Sequence, residues 1–580
     1  MHMLSELQKR SAYWRLDVAL AFLLTLGAFA VRIHNIGFNS LSEDETAKWS
    51  AVQQYRQGHF AGVNAEHPML MKTFVWASLL IGERWNRVAS LHGLPSMSPE
   101  GWLRLPNVLL GAATTAILYL LCRQMMGLAG SFAASFFWAF APLPIALNRL
   151  AKEETPLTFF TLLGCYLYMR AKQADDENSI RRWYDLSAIG FGLSFGSQYI
   201  LHLFGMNQLV WHLVGRAGVD RKPLTSGTYT RFFLLAFLTL VLVNPVVLSP
   251  SNFSSVVNWL HHGTVHHSGY DFDGILYRNF PLHFLAGVPW YFYFWLLAVK
   301  TPIPILAAIV VGGILLLRDR KSLASCFFVS FVVLQLIALS ICGAKWIRYS
   351  LPLLPFLFLA AGFAVQQTWN WLAEKKMPPA LVAMAAVVLF GWPLLELHTW
   401  APYYPFYLNS VGGGASHITR YFAPDEVSEF DSREVAQQVC STAPASATLA
   451  TGRPNSMTHY LERCGRSDIQ IVPLYDPLYS PQQGDLIVLE PSRRFFETQR
   501  FFDALEQSGM RNQEVHVGPI LASTIFQFDS SKVKQDGKRD NVIFTASRNQ
   551  RAFTNTRFHN PMWANAHTFS FWPLPTRQQP

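Results

Sequence analysis

Apolar residues fall in blocks close to the roughly 20 residues that cross a bilayer. The blocks are Asp17–Ile33, Leu105–Cys122, Leu128–Leu147, Thr155–Met169, Tyr184–Leu201, Phe232–Leu248, Leu296–Leu317, Leu323–Ile341, Leu351–Val365 and Ala380–Leu397, with a shorter run at Leu203–Val214. Counting the short run gives eleven spans, and a test of that count lies in the breaks between them. Lys9, Arg10 and Arg15; Arg170, Lys172, Arg181 and Arg182; Arg216, Arg221, Lys222 and Arg231; Arg318, Arg320 and Lys321; and Lys375 with Lys376 all fall on one side when consecutive spans alternate. That is the positive-inside pattern, and it fails if Leu203–Val214 is omitted. It places the N-terminus in the cytoplasm and everything after Leu397 outside. Ala28-Phe29-Ala30 mimics a signal-peptidase site, but the following spans need the first crossing to keep their direction.

The pattern changes after His398. Short β-like runs (Ala447–Ala450, Ile469–Val472, Leu486–Leu489, Ile525–Phe528) alternate with helical stretches (Ser432–Cys440, Asn455–Cys464, Arg494–Ser508). Such alternation predicts a small α/β domain. The expected organisation is a transmembrane domain over 1–397, with outside loops at 34–104 and 249–293, an extracytoplasmic α/β domain over 398–530 and an irregular tail over 531–580. Within the outer loop, Trp49, Val52, Tyr55 and Phe60 lend Gln53–Lys72 the character of an interfacial helix that His67-Pro68 would end.

Composition sharpens this division. Of 580 residues 51% are hydrophobic and only 14% charged, which excludes a purely soluble chain. Phe 44, Trp 18 and Tyr 20 exclude intrinsic disorder. The mean hydropathy is only slightly positive, as a polar domain beside the spans requires. The net charge of +10 does not point to nucleic acid, because the basic residues sit in cytoplasmic breaks. Of six cysteines only Cys440 and Cys464 fall in polar sequence; a disulfide on the oxidising side and two unrelated thiols are both open.

Charges in the short outer loops need another explanation. They are Glu43, Asp44 and Glu45 after the first span, Arg149, Lys152, Glu153 and Glu154 after the third, and Lys345 and Arg348 before the tenth. The topology brings all of them to one membrane face, where they either form solvated caps or converge on chemistry. His261, His262, His266 and His267 share the second outer loop. His262 and His266 have helical i, i+4 spacing that zinc would tolerate, but no carboxylate completes a metal motif, and a polar interfacial loop is the better reading. A divalent metal is left open and no cofactor is assigned.

Several of these residues lie in recognisable company. Asp44-Glu45 beyond the first span, His67-Pro68 with Lys72 downstream, and Arg104-Leu-Pro opening the second span together resemble the protein O-mannosyltransferase family. Asn148-Arg149 with Glu154-Thr-Pro-Leu-Thr-Phe-Phe, Lys300-Thr-Pro-Ile-Pro and Arg348-Tyr-Ser-Leu-Pro extend the likeness, which takes in the bacterial phospholipid-carrier-dependent transferases such as the aminoarabinose transferase. It covers roughly residues 15–400.

The resemblance implies a GT-C fold and a polyprenyl-phosphate sugar donor. It puts a general base on Asp44, with Glu45 pairing to Arg104 to hold the loop and His67 as further support. Glu154 stands where many members carry Asp, keeping the charge on a longer side chain. Lys72 survives in a His67-Pro68-Met69-Leu70-Met71-Lys72 segment that lacks the family's glycine. The large inserted outer domain of eukaryotic members is absent, so the likeness favours a bacterial-type enzyme.

The candidate catalytic set is therefore Asp44, Glu45 and Glu154, and the candidate phosphate-binding set Lys72, Lys345, Arg348 and Arg149. The expected partners are the lipid-linked donor, a protein, lipid or glycan acceptor and membrane lipids, in a bacterial inner membrane. The rival readings are a flippase or transporter of lipid-linked sugars, for which mid-membrane charge is expected, and a scaffold presenting the outer domain.

Overall fold

The computed structural model describes residues 2–60, 62–216, 224–262, 269–277, 284–285, 287–319, 321–476, 478–496, 498–518 and 520–532. Arg15–Ile33, Pro99–Cys122, Ser226–Val243, Leu323–Ile341, Ile347–Glu374 and Pro379–Trp400 are helices long and apolar enough to cross a membrane. A seventh crossing is formed if the bent pair Leu128–Phe140 and Pro142–Asn148 counts as one span. The other apolar runs are helical too, at Glu154–Gln173, Glu177–Ser197, His202–Arg216 and the broken pair Phe292–Lys300 and Ile303–Arg318, but they are short, interrupted or charged at their ends. The chain is thus a polytopic α-helical membrane protein carrying a small α/β domain at its C-terminal end.

The bent pair shows how sequence sets backbone here. Pro142 has no N–H for the carbonyl four residues earlier, and the helix turns by 55°. The freed Trp138 carbonyl accepts from Arg32 Nη2 at 2.9 Å, while Arg32 Nη1 reaches the Ala139 carbonyl at 2.8 Å. Arg32 Nε donates to Asn148 Oδ1 at 3.0 Å, so one fully buried guanidinium fixes both halves of the bend. A Cβ on Gly111 would lie 2.5 Å from the Asn148 side chain, and the close approach of the second span to this bend needs glycine there.

The C-terminal α/β domain holds a five-stranded sheet in the order β4-β3-β5-β7-β6. Its strands are β3 (Thr448–Thr451), β4 (Gln470–Pro473), β5 (Leu486–Leu489), β6 (Asn512–Val517) and β7 (Ile520–Gln527); β1 (Tyr270–Phe272) and β2 (Ile275–Tyr277) form a separate hairpin in the second outer loop. Strand β3 runs parallel to β4 and β5, and β7 runs antiparallel to β5 and β6.

Strand β5 is apolar throughout because both faces are covered. Leu486 and Val488 join Val435, Val439, Met457 and Leu461 from helices Ser432–Thr442 and Pro454–Arg463. Ile487 and Leu489 face Phe501, Phe502 and Leu505 from helix Gln499–Gln507. The first of these clusters also takes in Leu41, Val52, Met71, Val75, Leu79, Leu103 and Ala151, so the C-terminal domain and the segment between the first two expected spans share one apolar core. A disulfide joins Cys440 to Cys464 across the two helices on that side.

Besides the runs broken at Pro142 and Pro302, two elements differ from the sequence reading. No helix runs through Gln53–Lys72: the helix is Glu43–Arg56, ending before the positive-φ Gly58, and Pro68 is the N-cap of a second helix, Met69–His92. Proline suits a helix start, where its missing N–H has no partner to lose. Strand β6 was not expected, because Asn512–Val517 is polar on the face it presents outward. The 533–580 part of the tail lies outside the described residues, as do His266 and His267.

Beneath the carboxyl ends of β3 and β5 lies a buried ionic cluster. Arg453 pairs with Asp425 and Asp431; Asp425 also accepts from Ser492 N and Oγ, each at 2.8 Å. Glu490 accepts from Thr451 Oγ1 at 2.5 Å and Gly452 N at 2.7 Å. Burial pushes the Glu490 carboxyl up to about 7 and that of Asp425 up to about 6, with Arg453 opposing both. Such groups keep a proton that the unfolded chain has already released, so their effect on stability is most favourable at low pH and declines as pH rises through about 4 to 7. Glu429, which burial alone would raise, is held down to about 2 by Arg493 and Arg453, and its contribution is lost only in stronger acid. Amide exchange of β3 and β5 in the intact protein, corrected for intrinsic rates, should therefore slow between about pH 8 and about pH 5; unchanged protection over that window would contradict the assignment.

Candidate active site

Three consecutive carboxylates open the Glu43–Arg56 helix, where acidic side chains complement the exposed backbone N–H groups. Their environments differ sharply. Glu45 is fully buried: its carboxylate closes a capping box with Ser42, takes Arg104 Nε and Nη2 at 2.8 Å each, and accepts from Ala151 N at 2.9 Å. Arg104 uses its remaining donors on the carbonyls of Ile36, Asn39 and Ser40. The charge pair thus ties together the 36–45 segment, the start of the Pro99–Cys122 helix and the turn at Ala151. Burial works against the Glu45 anion, but Arg104 and the backbone donors hold its carboxyl below the ordinary range.

Asp44 is the exposed member, with 51% of its side chain accessible and its carboxylate against the Lys152 ammonium. Lys152 comes from the turn after the third expected span, which Asn107 Nδ2 anchors through the carbonyls of Leu150 and Lys152. Burial, with Arg348 nearby, pushes Lys152 down to about 7, while Glu154, Glu429 and Glu153 oppose that shift.

The same turn supplies the next pairs. Glu153 meets Lys48 Nζ at 3.0 Å and lies 3.9 Å from His67 Nε2. Burial would raise the Glu153 carboxyl, yet His67, Lys48 and Lys72 hold it well below its usual range. Glu154 meets Arg348 Nε at 3.3 Å, and the Arg348 guanidinium lies over the rings of Trp346 and Tyr349. Lys72 donates to the His67 carbonyl at 2.8 Å, and burial lowers it to about 8.

Asp44, Glu45, Arg104, Glu154, Arg348, His67 and Lys72 are thus gathered around the 149–154 turn. Lys345 and Arg149 are engaged elsewhere. The Lys345 ammonium donates to the carbonyls of Val288 and Cys342; Arg149 donates to the Asn35 carbonyl at 2.6 Å and stacks on Phe38 and Tyr404.

Sequence reasoning misses Lys48, whose signal is its i, i+4 spacing from Asp44 on a charged helix face. It also misses Glu426, which accepts from Ile347 N at 3.1 Å beside Arg348, and Glu429. Nothing local marks those two, because the outer domain brings them in from far along the chain. Among the described residues no three His, Cys, Asp or Glu side chains converge to hold an ion, and the side chain of His262 is not among those described.

One match to a known family falls on part of this region. A family model described as dolichyl-phosphate-mannose-protein mannosyltransferase matches residues 96–248, the segment that supplies Arg104, Lys152, Glu153 and Glu154. The resemblance read from the motifs is thereby matched. The mannosyltransferase candidate YkcB of Bacillus subtilis (strain 168) is 23% identical over 215 residues, which span 36% of this chain and only 28% of that protein. Among solved structures, ArnT from Cupriavidus metallidurans bound to undecaprenyl phosphate has 13% identity and a TM-score of 0.48, covering 90% of this chain and 99% of that one. The Archaeoglobus fulgidus oligosaccharyltransferase tethered with an acceptor peptide has 10% identity and a TM-score of 0.45, covering 80% of this chain and 64% of that one.

Proposed function

We propose that the protein is a GT-C glycosyltransferase that moves a sugar from a polyprenyl-phosphate carrier to an acceptor hydroxyl at the outer face of a bacterial inner membrane. The observation that carries this reading is the exposure of Asp44 between two tethered carboxylates, opposite Lys152 from another segment of the chain, whose turn also brings Glu154 to Arg348. Asp44 takes the proton of the acceptor hydroxyl as its oxygen bonds to the anomeric carbon. The bond from that carbon to the phosphate oxygen breaks, and the electron pair leaves with the polyprenyl phosphate. A phosphate leaving group needs no proton from an acid, but it needs cations in place before charge develops. Arg348, steadied by Glu154 and by two aromatic rings, supplies a planar donor fork suited to phosphate. Lys72 and Lys152 stand around the same turn, and each adds positive charge when an arriving phosphate anion offsets the burial that lowers it. Displacement in one step inverts the sugar carbon.

The donor's tail lies along the membrane-spanning helices. With the eleven-span topology, the carboxylates and cations fall in loops at one membrane face, which supports a transferase at the mouth of the membrane over a carrier with mid-membrane charge. The test is transfer of labelled sugar from synthetic polyprenyl-phosphate sugars by the full chain in vesicles, supplied with native membrane acceptors. Label on an acceptor, with inverted anomeric configuration, is expected. Label that crosses the bilayer still on its carrier, without any transferred product, would establish the flippase instead.

A further inference from the structure

We infer that Glu43 is a positioning residue through which the outer α/β domain sets the Asp44 carboxylate, an inference that rests on Asp44 being the acceptor base. Glu43 leaves its own helix and lies at the start of the Pro454–Arg463 helix. Its Oε1 accepts from Asn455 N at 3.0 Å and Asn455 Nδ2 at 2.7 Å, and its Oε2 accepts from Ser456 N at 2.9 Å. A helix start presents backbone donors and positive potential, so a carboxylate there is held by both.

The backbone N–H of Glu43 donates to Glu429 Oε2 at 2.6 Å, and Glu429 is itself paired with Arg493 after β5. Around this contact, Leu41 N donates to Tyr460 OH at 2.7 Å and Ser40 Oγ accepts from Ser432 N at 2.9 Å. Asp44 is therefore bracketed. Glu45 fastens it to the membrane domain through Arg104, and Glu43 fastens it to the outer domain through Asn455 and Ser456. Two fixed neighbours hold the Asp44 backbone in place, and from there its carboxylate meets Lys152.

The roles of the two brackets differ in what they would do to catalysis. Losing Glu43 leaves the Glu45–Arg104 pair, and with it the fold of the loop, but releases one side of the base. A group displaced by about 1 Å can cost on the order of 10²-fold in rate with little change in donor affinity.

The experiment uses the full chain and a synthetic polyprenyl-phosphate sugar, with Asp44→Asn run in parallel. Glu43→Ala should lower kcat about tenfold to a hundredfold while donor KM stays near the parental value. Glu43→Asp, which keeps the anion at the helix start, should recover part of the loss. Asn455→Ala should weaken transfer less, and its effect should vanish in the Glu43→Ala background, as for partners in one interaction. Amide exchange should quicken in residues 41–56 and stay parental in β3 and β5. Parental kcat in Glu43→Ala beside an inactive Asp44→Asn would overturn this inference alone, as would a change confined to KM. An active Asp44→Asn would overturn the base assignment and this inference with it.

Discussion

Replacing Asp44 with Asn should lower kcat for sugar transfer by about 10²–10⁴, the contribution of a positioned general base. The amide keeps the size of the side chain but cannot take a proton from the acceptor hydroxyl. The neighbouring carboxylates cannot substitute for it. Glu45 is fully buried and engaged by Arg104, Ser42 and Ala151, and Glu43 is occupied by Asn455 and Ser456. Donor binding should survive, because Arg348 and Lys72 are untouched, so the loss belongs in kcat and not in donor KM. Transfer by Asp44→Asn at the parental rate would remove the base from the mechanism.

Arg104→Met should have the largest effect on stability. It leaves the Glu45 carboxylate buried without its partner and strips the carbonyls of Ile36, Asn39 and Ser40 of their donors. Breaking one side of a buried pair costs about 3–5 kcal/mol. The double variant Arg104→Met, Glu45→Gln should recover part of this, since no uncompensated charge then remains. The measurement is denaturant unfolding of the intact protein in detergent, followed by a probe in the first outer loop. A single variant as stable as the parent would show that the pair does not hold the loop.

Much of the architecture could be read from hydrophobic pattern. The apolar runs mark helices, and the alternation after His398 marks the α/β domain, because burial in lipid and burial between two layers both leave plain traces in sequence. Interruptions are less visible. Pro142 and Pro302 each sit in a run that reads as one continuous span, although both break the helix. Gln53–Lys72 shows the opposite error, since the apolar period continued past the glycines that end the helix.

At the site, Asp44, Glu45, Glu154 and Arg348 stood out as charges at an apolar boundary. Lys345 stood out in the same way, yet two backbone carbonyls hold its ammonium. The contributions of Glu426, Glu429, Asn455 and Arg493 were invisible because they depend on how a distant domain is seated. Arg32 was hidden for another reason: two of its partners are the main-chain carbonyls of Trp138 and Ala139, exposed at a bend set by a proline more than 100 residues away.

The apolar core common to the outer domain and the first outer loop bears on how such proteins can be recombined. Grafting a foreign sheet domain onto these helices would strip cover from Leu41, Val52, Met71, Val75, Leu79 and Leu103. Exposed apolar area of that kind invites aggregation. The heritable module is consequently not the globular C-terminal piece but that piece together with the loop between the first two spans, and exchange between relatives must move both halves at once.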